Sequence, residues 1–149
     1  MSLRTHQTPS GSVTVARIAP GVVFSAGTGK FSEKLLSPLL EACERSLRET
    51  PRLSLFVDWL DLAGYTPLSR ADLTQWLLDH RAQVACVHVL VRVDIVRMAV
   101  STTALSLGGG LVQSYLVRPD FDRQLRLACV VGATDGARPR EGETGPTPR

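Results

Sequence analysis

The sequence predicts an α/β fold: a mixed sheet that opens with a hairpin and continues through alternating helices and strands. Three observations carry that expectation. The spacing of apolar residues keeps switching between a period of two and the helical period near 3.6. Turn and cap residues fall at the switches, as at Pro20-Gly21, Ser37-Pro38, Thr66-Pro67 and Pro119-Asp120. The composition is that of one domain, with 149 residues of which 44% are hydrophobic, 21% charged and 5% aromatic. Such a chain is too aliphatic to be disordered throughout and short enough to build a single core.

Val13, Val15 and Arg17 alternate with Thr14, Ala16 and Ile18, the pattern of a half-exposed strand. Pro20-Gly21 turns the chain, and residues 22–25 form its hairpin partner. Leu36, Leu39, Leu40, Cys43 and Leu47 then fall at helical spacing. Ser37-Pro38 fits an N-cap followed by proline at the first helical position; a start near Ser32 with a kink is the alternative. Residues 53–58, after Pro51, read as an inner strand. Thr66-Pro67 and the capping-box pattern Ser69-x-x-Asp72 open a second helix with Leu73, Trp76 and Leu77 on one face. Residues 84–91 are almost continuously apolar, the mark of a strand covered on both sides. Asp94 caps a third helix with Ile95, Met98, Ala99, Thr102 and Leu105 inward, and Gly108 stops it. Residues 111–117 form another strand, and Pro119-Asp120 opens a last helix carrying Phe121, Leu125 and Ala128.

The order ββ-α-β-α-β-α-β-α implies parallel pairing through right-handed crossovers, with an antiparallel edge from the first hairpin. Residues 1–11 read as a flexible N-terminus and 12–131 as the folded domain. Residues 132–149, rich in glycine and proline and without a large apolar side chain, read as a disordered tail.

Charge excludes more than it assigns. The net charge is +3 and the pI about 9.1, values that invite a nucleic-acid partner. Seventeen basic residues less Lys30 and Lys34 leave fifteen arginines, dispersed along the chain, a bias that reads as a GC-rich bacterial genome. The densest group, Arg118, Arg123 and Arg126, is interrupted by Asp120 and Asp122, so nucleic acid is not expected. No membrane span is expected either: the most apolar stretch, residues 98–112, is broken by serines, threonines and three glycines. The first twelve residues are polar, unlike a signal peptide. Cys43, Cys86 and Cys129 are odd in number, widely spaced and set among aliphatics, which suggests buried free thiols in a reducing, cytoplasmic compartment.

No residue set announces catalysis, a metal or a cofactor. Gly27-Thr28-Gly29-Lys30 looks like a phosphate loop, but Phe24 and Phe31 stand where such a loop needs glycine and a hydroxyl, so it reads as a connecting turn. Gly108-Gly109-Gly110 reads as a helix end and loop. His6 lies in the loose N-terminus, His80 at a helix end, and His88 inside the most apolar strand, as a core histidine. No serine or cysteine nucleophile carries a signature such as GxSxG.

The strand Leu55-Phe56-Val57-Asp58 with Trp59-Leu60-Asp61 after it, and the helix holding Trp76 and His80, follow a recognisable pattern. So do the strand Val87-His88-Val89-Leu90, the run Val96-Arg97-Met98-Ala99 and the closing Phe121-Asp122-Arg123-Gln124-Leu125. The pattern resembles the STAS superfamily, sulfate-transporter and anti-sigma-factor-antagonist domains, in its SpoIIAA-like branch. The resemblance spans residues 12–131. It implies a single STAS-like domain with helices mainly on one face of a mixed sheet, acting as a regulatory or docking module and not as an enzyme. In the best-known members an Asp-Ser-Ser-Gly-like turn places a phosphorylatable serine at a helix N-terminus, where phosphate meets the helix dipole. This chain has Asp58-Trp59-Leu60-Asp61 there; the aspartate matches and the serine does not. Thr66 and Ser69 remain as candidate phosphorylation sites.

Ligands of open α/β sheets gather beyond the carboxyl ends of parallel strands. Asp58, Trp59, Asp61, Tyr65 and Thr66 are expected there after one strand, and Arg92, Asp94 and Arg97 after the next. Carboxylates, arginines and aromatics together suit a docking face for a protein partner. The alternative is a small apolar-ligand or nucleotide-binding module, with a cleft lined by Met98, Leu105, Leu107 and Leu111. An unpaired edge strand would also offer a route to a homodimer.

Overall fold

The sheet begins one strand earlier than the apolar pattern suggests. The computed structural model describes residues 2–92, 100, 108 and 110–137. Its first strand, β1 (Ser2–Thr8), pairs antiparallel with β2 (Gly11–Ala19) over the register Ser2↔Arg17 to Thr8↔Gly11. The expectation of a flexible segment over residues 1–11 is therefore corrected. An edge strand exposed on both sides shows no apolar alternation. It is held by its backbone ladder and by polar bonds such as Thr5 Oγ1 to Thr14 Oγ1 at 3.0 Å.

The next strand, β3 (Val22–Phe31), is also longer than its apolar residues imply. It carries Gly27-Thr28-Gly29-Lys30 inside the strand, so this stretch is neither a connecting turn nor a phosphate loop. The register against the neighbouring strand shifts on either side of Thr28-Gly29. Gly29 holds φ of +71°, and a Cβ there would lie 2.3 Å from the Ser10 carbonyl oxygen. The Lys30 N–H donates to that same oxygen at 3.0 Å. Glycine is needed because the β1–β2 turn presses against an irregular strand.

Helix α1 (Glu33–Glu49) starts from Ser32, with Pro38 inside it; the N-cap expected at Ser37 is corrected to the alternative start. It buries Leu35, Leu36, Leu39, Ala42 and Cys43. Strand β4 (Leu53–Tyr65) leads to α2 (Pro67–Asp79). Strands β5 (Val84–Leu90) and β6 (Val112–Tyr115) follow, then α3 (Arg118–Ala137). The helix expected from Asp94 lies outside the described residues except for Val100, which is helical and buried. Helix α3 runs past Val131 to Ala137, so the start of the expected tail is helical. Gly132 permits this: a Cβ there would lie 2.5 Å from the Pro20 carbonyl oxygen, so its absence lets the helix lie on the β2–β3 turn.

The strand order is β1-β2-β3-β4-β5-β6, antiparallel from β1 to β3 and parallel from β3 to β6. This is one α/β domain on a six-stranded mixed sheet. One face packs Val13, Val15, Val23, Leu55, Val57 and Val87 against α1 and α2. The other packs Val22, Phe56 and Leu90 against Phe121 of α3.

Candidate functional site

Parallel pairing of β4 with β5 ends at Asp58↔Leu90, yet pairing of β4 with β3 continues to Phe31↔Tyr65. Asp58, Trp59, Asp61 and Tyr65 are therefore inside a long strand and not in a loop after it, which corrects the sequence expectation. The extension works because β3 is equally long, and a shift in register between Ala26 and Thr28 keeps Trp59 and Leu62 both turned to the α2 face. Past Asp58, no described strand pairs β4 on its β5 side.

The residues on this extension play different parts. Asp58 is an anchor. Its Oδ1 accepts from the Leu60 N–H at 3.2 Å, and its Oδ2 accepts from the Arg118 guanidinium at 2.7 Å, which joins β4 to the start of α3. The carboxylate raises the already high Arg118 pKa, chiefly through that hydrogen bond. Trp59 is a core residue with 9% exposure, its ring 5.6 Å from that of Phe31. Its indole N–H is buried without a hydrogen-bond partner. Neither residue is free to dock.

Asp61 and Arg92 come together as expected, 3.9 Å apart, with side chains 73% and 69% exposed. Asp94 and Arg97 lie outside the described residues. Thr66 caps α2: its Oγ1 accepts from the Ser69 N–H at 3.2 Å and donates to Glu33 Oε1 at 2.6 Å. The same hydrogen bond is the main cause that lowers the Glu33 pKa. The cap is thus Thr66 and not Ser69. Ser69 is 1% exposed and its Oγ donates to the Thr66 carbonyl at 2.8 Å. Of the two candidate phosphorylation sites, the Ser69 hydroxyl is thus enclosed and the Thr66 hydroxyl is held between two elements.

Two features escaped the sequence reading. Arg118 stands at the first position of α3, where the helix dipole disfavours a cation; that anomaly was the only signal that it has a carboxylate partner. Tyr115 was not singled out, yet its hydroxyl lies 2.8 Å from His88 Nδ1. His88 also stacks on Phe56 with centroids 4.1 Å apart. Burial lowers its pKa to about 4, so it is neutral at physiological pH. His80 closes α2 as expected, with Nδ1 2.8 Å from the Trp76 carbonyl oxygen and its ring stacked on the indole.

Of the three thiols only Cys43 is fully buried; Cys86 and Cys129 are half-buried. Burial pushes all three thiol pKa values up, away from reactive thiolate. Among the described residues no three His, Cys, Asp or Glu side chains gather into a metal set, and no helix is long and apolar enough to cross a membrane.

Between α2 and the sheet lies an apolar cavity of about 50 Å³, lined by Phe31, Trp59, Tyr65, Leu73, Leu77 and Val89 among others. A space that size has room for only a few atoms, and its apolar lining offers little to hold water. Of the expected lining, Met98, Leu105 and Leu107 lie outside the described residues, and Leu111 belongs to the core without lining this cavity.

No family model matches the chain, and no curated protein does. Among solved structures, the fold is similar to an uncharacterized protein of the DUF3478 family with a SpoIIAA-like fold, from Shewanella loihica PV-4. The similarity covers 83% of this chain and 92% of that one, at 13% identity and a TM-score of 0.56. At that identity the likeness concerns the fold alone. The domain has a SpoIIAA-like fold, with two of the described helices on one face of the sheet and one on the other.

Proposed function

We propose that this chain is a non-enzymatic, cytoplasmic interaction domain of a bacterial regulatory system that binds a protein partner at the carboxyl end of its sheet. One observation carries the reading. The Asp61–Arg92 pair is exposed and loosely held beside the unshared edge of β4, whereas its chemically capable neighbours are committed to the fold. Asp58 holds Arg118, Thr66 holds Glu33 and Ser69, and His88 is neutral against Tyr115. Exposed charges beside an open strand edge suit steering and register in a docking contact. The usual phosphoserine switch is no part of this reading, since Trp59 and Leu60 replace the serines and Ser69 is buried.

The test is affinity capture with the wild-type chain, identification of the retained protein, and titration of that purified protein against Asp61→Arg and Arg92→Glu. Each reversal should weaken binding about tenfold or more and leave the melting temperature unchanged. Undiminished binding by both variants would overturn the proposal.

The buried, unpartnered Trp59 indole N–H favours a second reading, a small apolar ligand carrying one hydrogen-bond acceptor in the cavity under α2. At about 50 Å³ the cavity would have to widen for anything beyond a few heavy atoms. Native mass spectrometry without a bound species, and Trp59 fluorescence unmoved by short-chain alcohols, would count against it. A nucleotide reading loses its motif, because Gly27–Lys30 is strand.

A further inference from the structure

The opposite edge of the sheet carries a second surface, separate from the Asp61–Arg92 face. β1 ends the sheet and pairs only with β2 among the described residues. Its register places Arg4 opposite Val15 and His6 opposite Val13. Val13 and Val15 belong to the core on the α1 face, so Arg4 and His6 share that face. Helix α1 lies over β2 and β3 and leaves a groove of about 620 Å³ above β1. Arg4, His6, Arg17 and Arg45 line it, against Glu41 and Glu49. Arg17 is paired with Glu49; Arg4 and Arg45 enter no ion pair among the described residues. Three guanidiniums thus face two carboxylates in the groove, an excess of one positive charge, with Arg4 and Arg45 outside any ion pair, beside an open ladder of backbone donors and acceptors.

We propose that this edge binds an extended acidic peptide segment of a partner protein by strand addition. The peptide backbone pairs with β1, and its alternate carboxylates stand beside Arg4 and His6 with Arg45 across the groove. Backbone pairing supplies affinity without sequence, and the arginines select acidic side chains at every second position. A nucleic acid fits less well: the groove offers no Phe, Tyr or Trp for base stacking. Self-pairing of β1 would bring Arg4 close to a second set of basic side chains, so a second copy is disfavoured.

The experiment is fluorescence anisotropy with a labelled peptide of about ten residues alternating glutamate and threonine. The wild-type chain should bind it, more weakly as salt rises. Arg4→Glu combined with Arg45→Glu should weaken binding about tenfold or more, with an unchanged circular-dichroism melt showing that the double variant folds. A version with proline at every threonine, which removes alternate backbone donors, should not bind. Equal binding of a lysine–threonine peptide overturns the proposal, as does binding that ignores the arginine reversals. It is equally overturned by tighter binding of oligo-dT, by a dimer in light scattering that Arg4→Glu abolishes, or by no binding at millimolar peptide. Asp61→Arg should leave peptide binding unchanged, so failure here and failure of the proposed docking face are read separately.

Discussion

The two faces of the sheet are closed by different chemistry. Beneath α1 and α2 the core is larger and mainly aliphatic, with Leu35, Leu36, Leu39, Leu53, Leu55 and Leu77 fully buried beside Phe31, Trp59 and Trp76. Beneath α3 the cluster is small and aromatic. Phe56 stacks on His88 and meets Phe121 edge-on at 5.7 Å, Tyr115 meets Phe121 at 5.9 Å, and Asp58–Arg118 closes one end. Aliphatic burial is non-directional, whereas ring geometry and charged hydrogen bonds set an orientation. The first face therefore supplies most of the cohesion, and the second fixes where one helix sits. The Asp58–Arg118 pair and the neutral His88 lie on the second, so substitutions of these groups should report on the seating of α3.

The largest effect is expected from removing a ring. Phe56→Ala should cost about 3–5 kcal/mol in denaturant unfolding, and Leu39→Ala on the other face about 2–5 kcal/mol. They should differ in signature: Phe56→Ala should also flatten the near-ultraviolet dichroism of Tyr115, and Leu39→Ala should not. Matching signatures would dissolve the distinction between the faces. Asp58→Asn should follow. Charged hydrogen bonds of this kind contribute about 1.5–3 kcal/mol, but Arg118 is half exposed, so a loss of about 1–2 kcal/mol is expected after solvent screening. Thr66→Ala removes the α2 cap and the bond to Glu33, at about 1 kcal/mol.

A further effect, visible only in acid, concerns His88. Its folded pKa, about 4, lies below the ordinary histidine value of 6.5, so the unfolded chain takes up the proton first. The contribution is complete above about pH 6.5 and is lost as pH falls toward 4. His88→Gln, which keeps a partner for Tyr115, should flatten that part of the stability–pH curve. A curve unchanged by the substitution would show that His88 is not buried as described.

Much of the architecture was legible because burial writes itself into the sequence. The apolar run at 84–91 gave β5, and Thr66-Pro67 gave the start of α2. What stayed hidden was held by backbone or by distant partners. β1 is polar because both its faces meet solvent, and only its ladder with β2 makes it a strand. Gly27 to Lys30 and Asp58 to Asp61 carry turn-like or polar residues, so β3 and β4 looked shorter than they are. The Asp58–Arg118 bond spans sixty residues in sequence, and no local pattern announces it. Consequently the docking residues read from the sequence divided: Asp61 and Arg92 lie exposed together, while Asp58, Trp59 and Thr66 are committed to the structure.

The central claim is that adjacent carboxylates on β4 do different work, Asp58 for the fold and Asp61 for a partner. The most direct test measures both properties on both variants, Asp58→Asn and Asp61→Arg, against the partner identified by capture. The expected result is a crossed pair. Asp58→Asn should lower the melting temperature and leave the affinity of the folded fraction intact, and Asp61→Arg should lower affinity about tenfold at an unchanged melting temperature. Loss of affinity from Asp58→Asn alone, with Asp61→Arg binding normally, would contradict the account.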